Sequence, residues 1–275
     1  MTSGKQYKLG IALSGGSARG FAHVGALKAI EEAGLKPDVL AGVSAGSIVA
    51  VLYASGISPD NIMKLFSDQS LKSLIGFNLK SGGIFNIDKM RRLIMKAIAP
   101  CKTFSDLKIP VYIGVTNLDT GKWEVMNEGT IADRMVASCS IPILFKPVKI
   151  NGSNYVDGGV LRNLPSSAIR DKCETLIGIN VSPMNPLKKP NSIIDVALRT
   201  YDLMAKSNQN PDMEICDLTV VLREISSYQL FNLNDINKVF TSGYLNMRRS
   251  LREAGMWHPQ TVPDGITLPI ENTDE

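Results

Sequence analysis

Apolar residues near the start of the chain fall into short continuous runs separated by stretches of helical period. Tyr7 to Leu13 is a β-prone run, too short for a helix, that stops at Ser14-Gly15-Gly16-Ser17-Ala18-Arg19-Gly20, which predicts a strand followed by a glycine-rich loop. From Gly20 to Gly34, His23, Ala26, Leu27, Ile30 and Ala33 recur on one helical face while Lys28, Glu31 and Glu32 fall opposite, and Gly34 supplies a stop. A second β-prone run, Val39 to Val43, enters Gly42-Val43-Ser44-Ala45-Gly46, then an apolar helical stretch to Ala54 with a stop at Gly56. Strand, loop, helix, strand, turn, helix is the opening of an α/β fold with a mainly parallel sheet.

No strand pattern occurs between Ser58 and Pro100. Ser58-Pro59 starts a helix carrying Ile62, Leu65 and Phe66, Asp88 caps another carrying Met90, Leu93, Ile94, Ala97 and Ile98, and Ser81-Gly82-Gly83-Ile84-Phe85 is a turn between them. This stretch is read either as a lid or acyl-chain wall over a cleft or as plain core. Strands are predicted at Pro110 to Thr116 and Lys122 to Met126 around the turn Asp119-Thr120-Gly121, and a short helix from Thr130 toward Ser140-Ile141-Pro142. Asn151-Gly152 joins Lys146–Ile150 to Asn154–Val156 as a hairpin that delivers Asp157-Gly158-Gly159. A strand at Leu176 to Val181, a helix at Ile193 to Ala205, a strand at Leu218 to Leu222 and a helix at Asn234 to Ala254 complete one domain over 7–255, with 256–275 as a strap or tail.

With 275 residues, 44% of them hydrophobic, the chain can bury the core of one large α/β domain. It holds no run of 18 apolar residues, and Met1 to Lys5 leads into the first strand without a signal-like segment, so a soluble, cytoplasmic protein is expected. Cys101, Cys139, Cys173 and Cys216 are scattered without paired spacing, which suggests neither a zinc site nor a disulfide framework. A net charge of +4 without a basic block, and only 6% aromatic residues, argue against a nucleic-acid partner. Transient contact with an anionic membrane surface stays open, and the oligomeric state is not legible.

Three constellations carry chemistry. In Gly42-x-Ser44-x-Gly46 a serine stands at a strand-to-helix turn whose tightness demands small neighbours. The Ala45 amide and the positive end of the following helix would face a developing oxyanion. The loop Gly15-Gly16-Ser17-Ala18-Arg19-Gly20 can turn several N–H groups to one point. It fits neither a dinucleotide fingerprint, since Ser17 or Ala18 falls where the second glycine belongs, nor a P-loop, since no Gly-Lys-Ser/Thr follows. An oxyanion site or a simple packing turn remain. Asp157-Gly158-Gly159 is either a turn aspartate bonded to its own backbone or the base that a serine needs. Histidine is a poor candidate for that base: the chain has only His23, on the apolar helix face, and His258, outside any predicted element.

Taken together and in order, Leu13-Ser14-Gly15-Gly16, Ala18-Arg19-Gly20-Phe21-Ala22-His23, Gly42-Val43-Ser44-Ala45-Gly46, Ala137-Ser138-Cys139-Ser140-Ile141-Pro142 and Asp157-Gly158-Gly159-Val160-Leu161 resemble the patatin-like phospholipase family in its bacterial form. The resemblance runs from about Leu9 to Val181. It implies a three-layer α/β/α fold, a Ser44–Asp157 dyad, an oxyanion hole in the glycine loop (Gly15, Gly16 and Ser17, beside Ala45), and hydrolysis of acyl esters of lipids with no cofactor or metal. Arg19, Gly20, Gly42, Gly46, Gly158 and Gly159 would support that site, with Arg19 fixing the loop or an anionic substrate group. The pattern departs at Ser17, where the family usually has a third glycine; serine would be strained there if the position needs positive φ. An acyltransferase or thioesterase, or a non-catalytic protein retaining the fold, are the alternatives on the same scaffold.

Overall fold

The computed structural model describes residues 4–67, 87–183, 192–227 and 234–258. Eight strands form one sheet: β1 (Tyr7–Leu13), β2 (Val39–Gly42), β3 (Val111–Asn117), β4 (Lys122–Met126), β5 (Val148–Ile150), β6 (Ser153–Asp157), β7 (Cys173–Asn180) and β8 (Leu218–Val221). The hydrogen-bonded order is β5-β6-β3-β2-β1-β7-β8, with β4 also on β3. The run β3-β2-β1-β7-β8 is parallel, whereas β4, β5 and β6 pair antiparallel.

Side chains along the parallel strands alternate between two cores. Leu9, Ile11 and Leu13 of β1, Leu40 of β2, Ile113 and Val115 of β3, and Ile177 and Ile179 of β7 join the larger core. Their neighbours Ala12, Val39, Ala41 and Leu176 face a smaller one. This period of two on strands buried on both faces explains why they read as continuous apolar runs. The large core is covered by α1 (Phe21–Glu32), α2 (Ala45–Ala54), α3 (Pro59–Ser67), α4 (Ile87–Ala97), α5 (Ile131–Ser138) and α8 (Ile236–Glu253). α1 and α8 cross with backbones in contact, since a side chain on Gly25 would strike the Phe240 carbonyl and one on Gly243 the Ala22 carbonyl. The small core is closed by Leu164 to Cys173, which is built of short 3-10 turns, and by Met213 of the short helix α7 (Asn210–Glu214). The remaining helix among the described residues is α6 (Ile193–Ser207).

The expected α/β architecture is present, with differences at particular elements. α4 begins at Ile87, so Asp88 lies within its first turn instead of capping it. β7 begins three residues before the predicted Leu176, because Cys173 to Thr175 continue the pairing with β1. Ile62, Ile94 and Ile98 are buried in the large core; the turn Ser81 to Phe85 lies outside the described residues. Beyond α8, Met256 and Trp257 pack on the large core and Arg252 stacks 5.3 Å from the Trp257 ring centre. No helix among the described residues is long and apolar enough to cross a membrane.

One feature of the register positions the site. Ile113 of β3 pairs with Gly42 of β2 on one side and Met126 of β4 on the other. Two residues later, Val115 still pairs with β4 through Glu124 but has Asp157 of β6 opposite. β2 and β6 therefore share one edge of β3 end to end. The turn that leaves β2 and the carboxylate that ends β6 meet where one strand hands over to the other.

Candidate functional site

Ser44 occupies the turn between β2 and α2 with φ 52° and ψ −123°, a backbone conformation that costs a non-glycine residue on the order of 1–3 kcal/mol. The surroundings hold it there. Its N–H donates to Ser138 Oγ at 2.9 Å, and the Ser138 hydroxyl donates to the Gly114 carbonyl at 2.8 Å. The Ser47 hydroxyl donates to the Ser44 carbonyl at 2.6 Å. Close approach explains both flanking glycines: a side chain on Gly42 would lie 2.6 Å from the Gly46 backbone, and one on Gly46 would collide with the Leu13 carbonyl. Ser44 is 5% exposed.

Asp157 is fully buried. Its N–H donates to the Ser140 carbonyl at 3.0 Å, so the Ser138-Cys139-Ser140 corner after α5 braces both the serine turn and the aspartate. Burial pushes the Asp157 carboxyl up to about 6, against the pull of the Ser44 hydroxyl, the Gly159 N–H at 2.8 Å from Oδ1, and the Tyr201 hydroxyl. The two hydroxyls face the carboxylate, although Oδ2 lacks a partner of full hydrogen-bond geometry among the described residues. The bond to Gly159 is the turn-type contact that sequence allows for any such aspartate. Its burial beside Ser44 is the unusual feature.

The glycine loop enters from β1. The Ser17 φ is 51°, so serine stands where glycine would be unstrained. Ser17→Gly is expected to raise stability by about 1 kcal/mol once the greater freedom of unfolded glycine is offset; thermal unfolding checks it, and a fall in melting temperature would contradict it. The loop places its amides differently from expectation. The Gly15 N–H donates to the Asn163 carbonyl at 3.1 Å and is not open to an oxyanion. The N–H groups of Gly16, Ser17 and Ala45 have no acceptor among the described residues. Gly20 admits Ala45, whose Cβ would lie 2.8 Å from a side chain there.

Arg19 is buried beside Asp202 of α6; burial lowers its pKa and the Asp202 charge opposes that shift. Asp202 also pairs with Arg199 at 3.0 Å and with Lys206 at 2.8 Å. Arg19 thus ties the loop to α6. His23 is buried with its Nε2 2.8 Å from the Ser14 carbonyl, and burial holds its pKa down near 4. A neutral imidazole donating to that carbonyl steadies the loop from behind.

α6 covers the site. Leu198, Tyr201, Asp202 and Ala205 line a cavity of about 20 Å³ together with Gly15, Gly16, Ser17, Ser44 and Asn163, space for a single water and not for an acyl chain. Helical spacing identified α6, but nothing local marks Tyr201 or Asp202 as facing a serine more than 150 positions away. Tyr201→Phe removes a donor that stabilises the Asp157 carboxylate. The acid limb of a pH–rate profile is therefore expected to move to higher pH; an unmoved limb would separate Tyr201 from the base.

A family model described as patatin-like phospholipase matches residues 11–168. Lysophospholipase NTE1 of Saccharomyces cerevisiae is 31% identical over 193 residues, covering 63% of this chain and 11% of the yeast protein. An uncharacterized NTE family protein of Mycobacterium bovis is 28% identical over 164 residues, covering 59% of this chain and 45% of that protein. The chain therefore corresponds to less than half the length of either relative. Among solved structures, VipD from Legionella pneumophila matches with a TM-score of 0.58 at 15% identity, over 92% of this chain and 69% of VipD, a likeness of fold.

Proposed function

Because the chain belongs to the patatin-like phospholipase family, we propose that it hydrolyses acyl esters of lipids, phospholipids or lysophospholipids among them, through an acyl-enzyme on Ser44 with Asp157 as base. The observation that carries this reading is the full burial of Asp157 beside Ser44, which pushes the carboxyl up to about 6. An ordinary aspartate is too weak a base near neutral pH, and desolvation raises its basicity into the useful range.

Ser44 Oγ attacks the ester carbonyl carbon as its proton passes to Asp157. The amides of Gly16, Ser17 and Ala45 hold the oxyanion that forms. The intermediate collapses, the alcohol leaves with the proton from Asp157, and the acyl group remains on Ser44. Water then attacks that ester, again giving its proton to Asp157, and the second collapse releases the fatty acid and restores the serine. α2 begins at Ala45, so its positive end adds to the field at the oxyanion. Incubation with short p-nitrophenyl esters and lysophospholipids tests the proposal. Release of free acid and alcohol in equal amounts is expected; failure to cleave any member of the panel would refute it, and transfer of the acyl group to added alcohols in place of water would reassign the enzyme as an acyltransferase.

A further inference from the structure

We propose that the side-chain amide of Asn163 is a further oxyanion donor, acting on the acyl ester held at Ser44; the inference rests on the hydrolase reading above. Asn163 is 1% exposed and lines the same small cavity as Ser44, Gly16 and Ser17. Its backbone is clamped on both sides. The Asn163 N–H donates to Asn208 Oδ1 at 2.9 Å, and its carbonyl accepts the Gly15 N–H at 3.1 Å. Asn208 in turn donates through Nδ2 to the Gly159 carbonyl at 2.9 Å, joining Asn163 to the loop that carries Asp157.

The side chain is treated in the opposite way. Nδ2 is buried and has no acceptor among the described residues. A buried donor without a partner is destabilising, and because Asn163 lines the cavity, an oxyanion formed there would give this donor its missing acceptor. Two glycines make room for the carboxamide: a side chain on Gly15 would collide with Asn163 Oδ1, and one on Gly159 would lie 2.9 Å from it. The same side chain on Gly15 would lie 3.3 Å from Ser44 Cβ, so the amide group borders the serine. These contacts put Oδ1 on the side of Gly15 and Gly159, and a half-turn of the carboxamide exchanges it with Nδ2 and brings the donor to that side. The Gly15 amide, closed to substrate by its bond to Asn163, thereby holds a replacement donor in position.

A donor that acts on developing charge lowers the barrier without strengthening ground-state binding. Asn163→Asp, of equal shape, and Asn163→Ala are therefore expected to lower kcat about 100-fold on a short p-nitrophenyl ester with KM little changed, and to weaken a trifluoromethyl ketone, which forms a tetrahedral adduct on serine, in parallel. A folded variant whose kcat and ketone affinity stay within about threefold of the unaltered protein, or one in which only KM rises, overturns the proposal. Should neither variant fold, the Asn163 side-chain NH₂ resonances of the unaltered protein decide: a downfield shift on ketone binding is expected, and no shift overturns it. An unaltered protein that neither binds the ketone nor cleaves the ester would instead refute the hydrolase reading beneath it.

Discussion

Ser44→Ala is expected to reduce ester hydrolysis on the order of 10⁴-fold or more, because removal of an attacking serine leaves only the binding and oxyanion contributions to the rate. The protein should still fold. Alanine keeps the Cβ that already tolerates φ 52°, and the bonds that fix the turn, from Ser138, Ser47 and Gly114, all involve the Ser44 backbone or atoms beyond it. A steady-state assay on a short ester, beside a thermal unfolding curve, separates lost chemistry from lost structure. Hydrolysis within about tenfold of the unaltered protein would reject Ser44 as nucleophile.

Asp157→Asn is expected to lower the rate on the order of 10³-fold and yet stabilise the fold. Burial pushes the carboxyl up to about 6 in the folded protein, from an ordinary value of 3.8. The folded state therefore holds its proton more tightly than the unfolded chain. Stability from this group is fully present below about pH 4 and is lost as pH rises through about 6. At about pH 8 the ionised, buried carboxylate costs the folded state on the order of 2–3 kcal/mol. Asparagine is neutral throughout and retains an oxygen for the Gly159 N–H, so much of that cost disappears. Urea unfolding at about pH 5 and about pH 8 checks this, with a gain for the variant at the higher pH about twice that at the lower. Equal stability of the two proteins at both pH values would mean that the carboxyl is not held at a raised pKa. In the unaltered protein the same shift has an expected kinetic form: ester hydrolysis should rise with pH through about 6 if Asp157 is the base.

Local steric rules made part of the site legible in the sequence. Gly42 and Gly46 are dictated by the tight turn that carries Ser44, and Asn151-Gly152 fixes the hairpin that ends at Asp157, with Asn151 at φ 50° and Gly152 at φ 93°. The strained Ser17 was likewise visible as the residue that breaks the loop's pattern. Long-range placement was not visible. Tyr201 and Asp202 come from a helix whose amphipathic spacing says that one face is buried without saying against what. Asn163 carries no pattern at all, and its role emerges from an amide pairing with Gly15 that no spacing foretells. The helices between 58 and 100 show the same limit in reverse: an apolar face that suits a lid suits a core equally well, and Ile62 and Ile94 are core.

The most direct measurement is to react the protein with a fluorophosphonate probe across pH and locate the adduct by peptide mass spectrometry. A single adduct on the peptide containing Ser44, forming faster as pH rises through about 6, is the predicted result. An adduct on another residue, or none from a protein that still cleaves esters, would contradict the account.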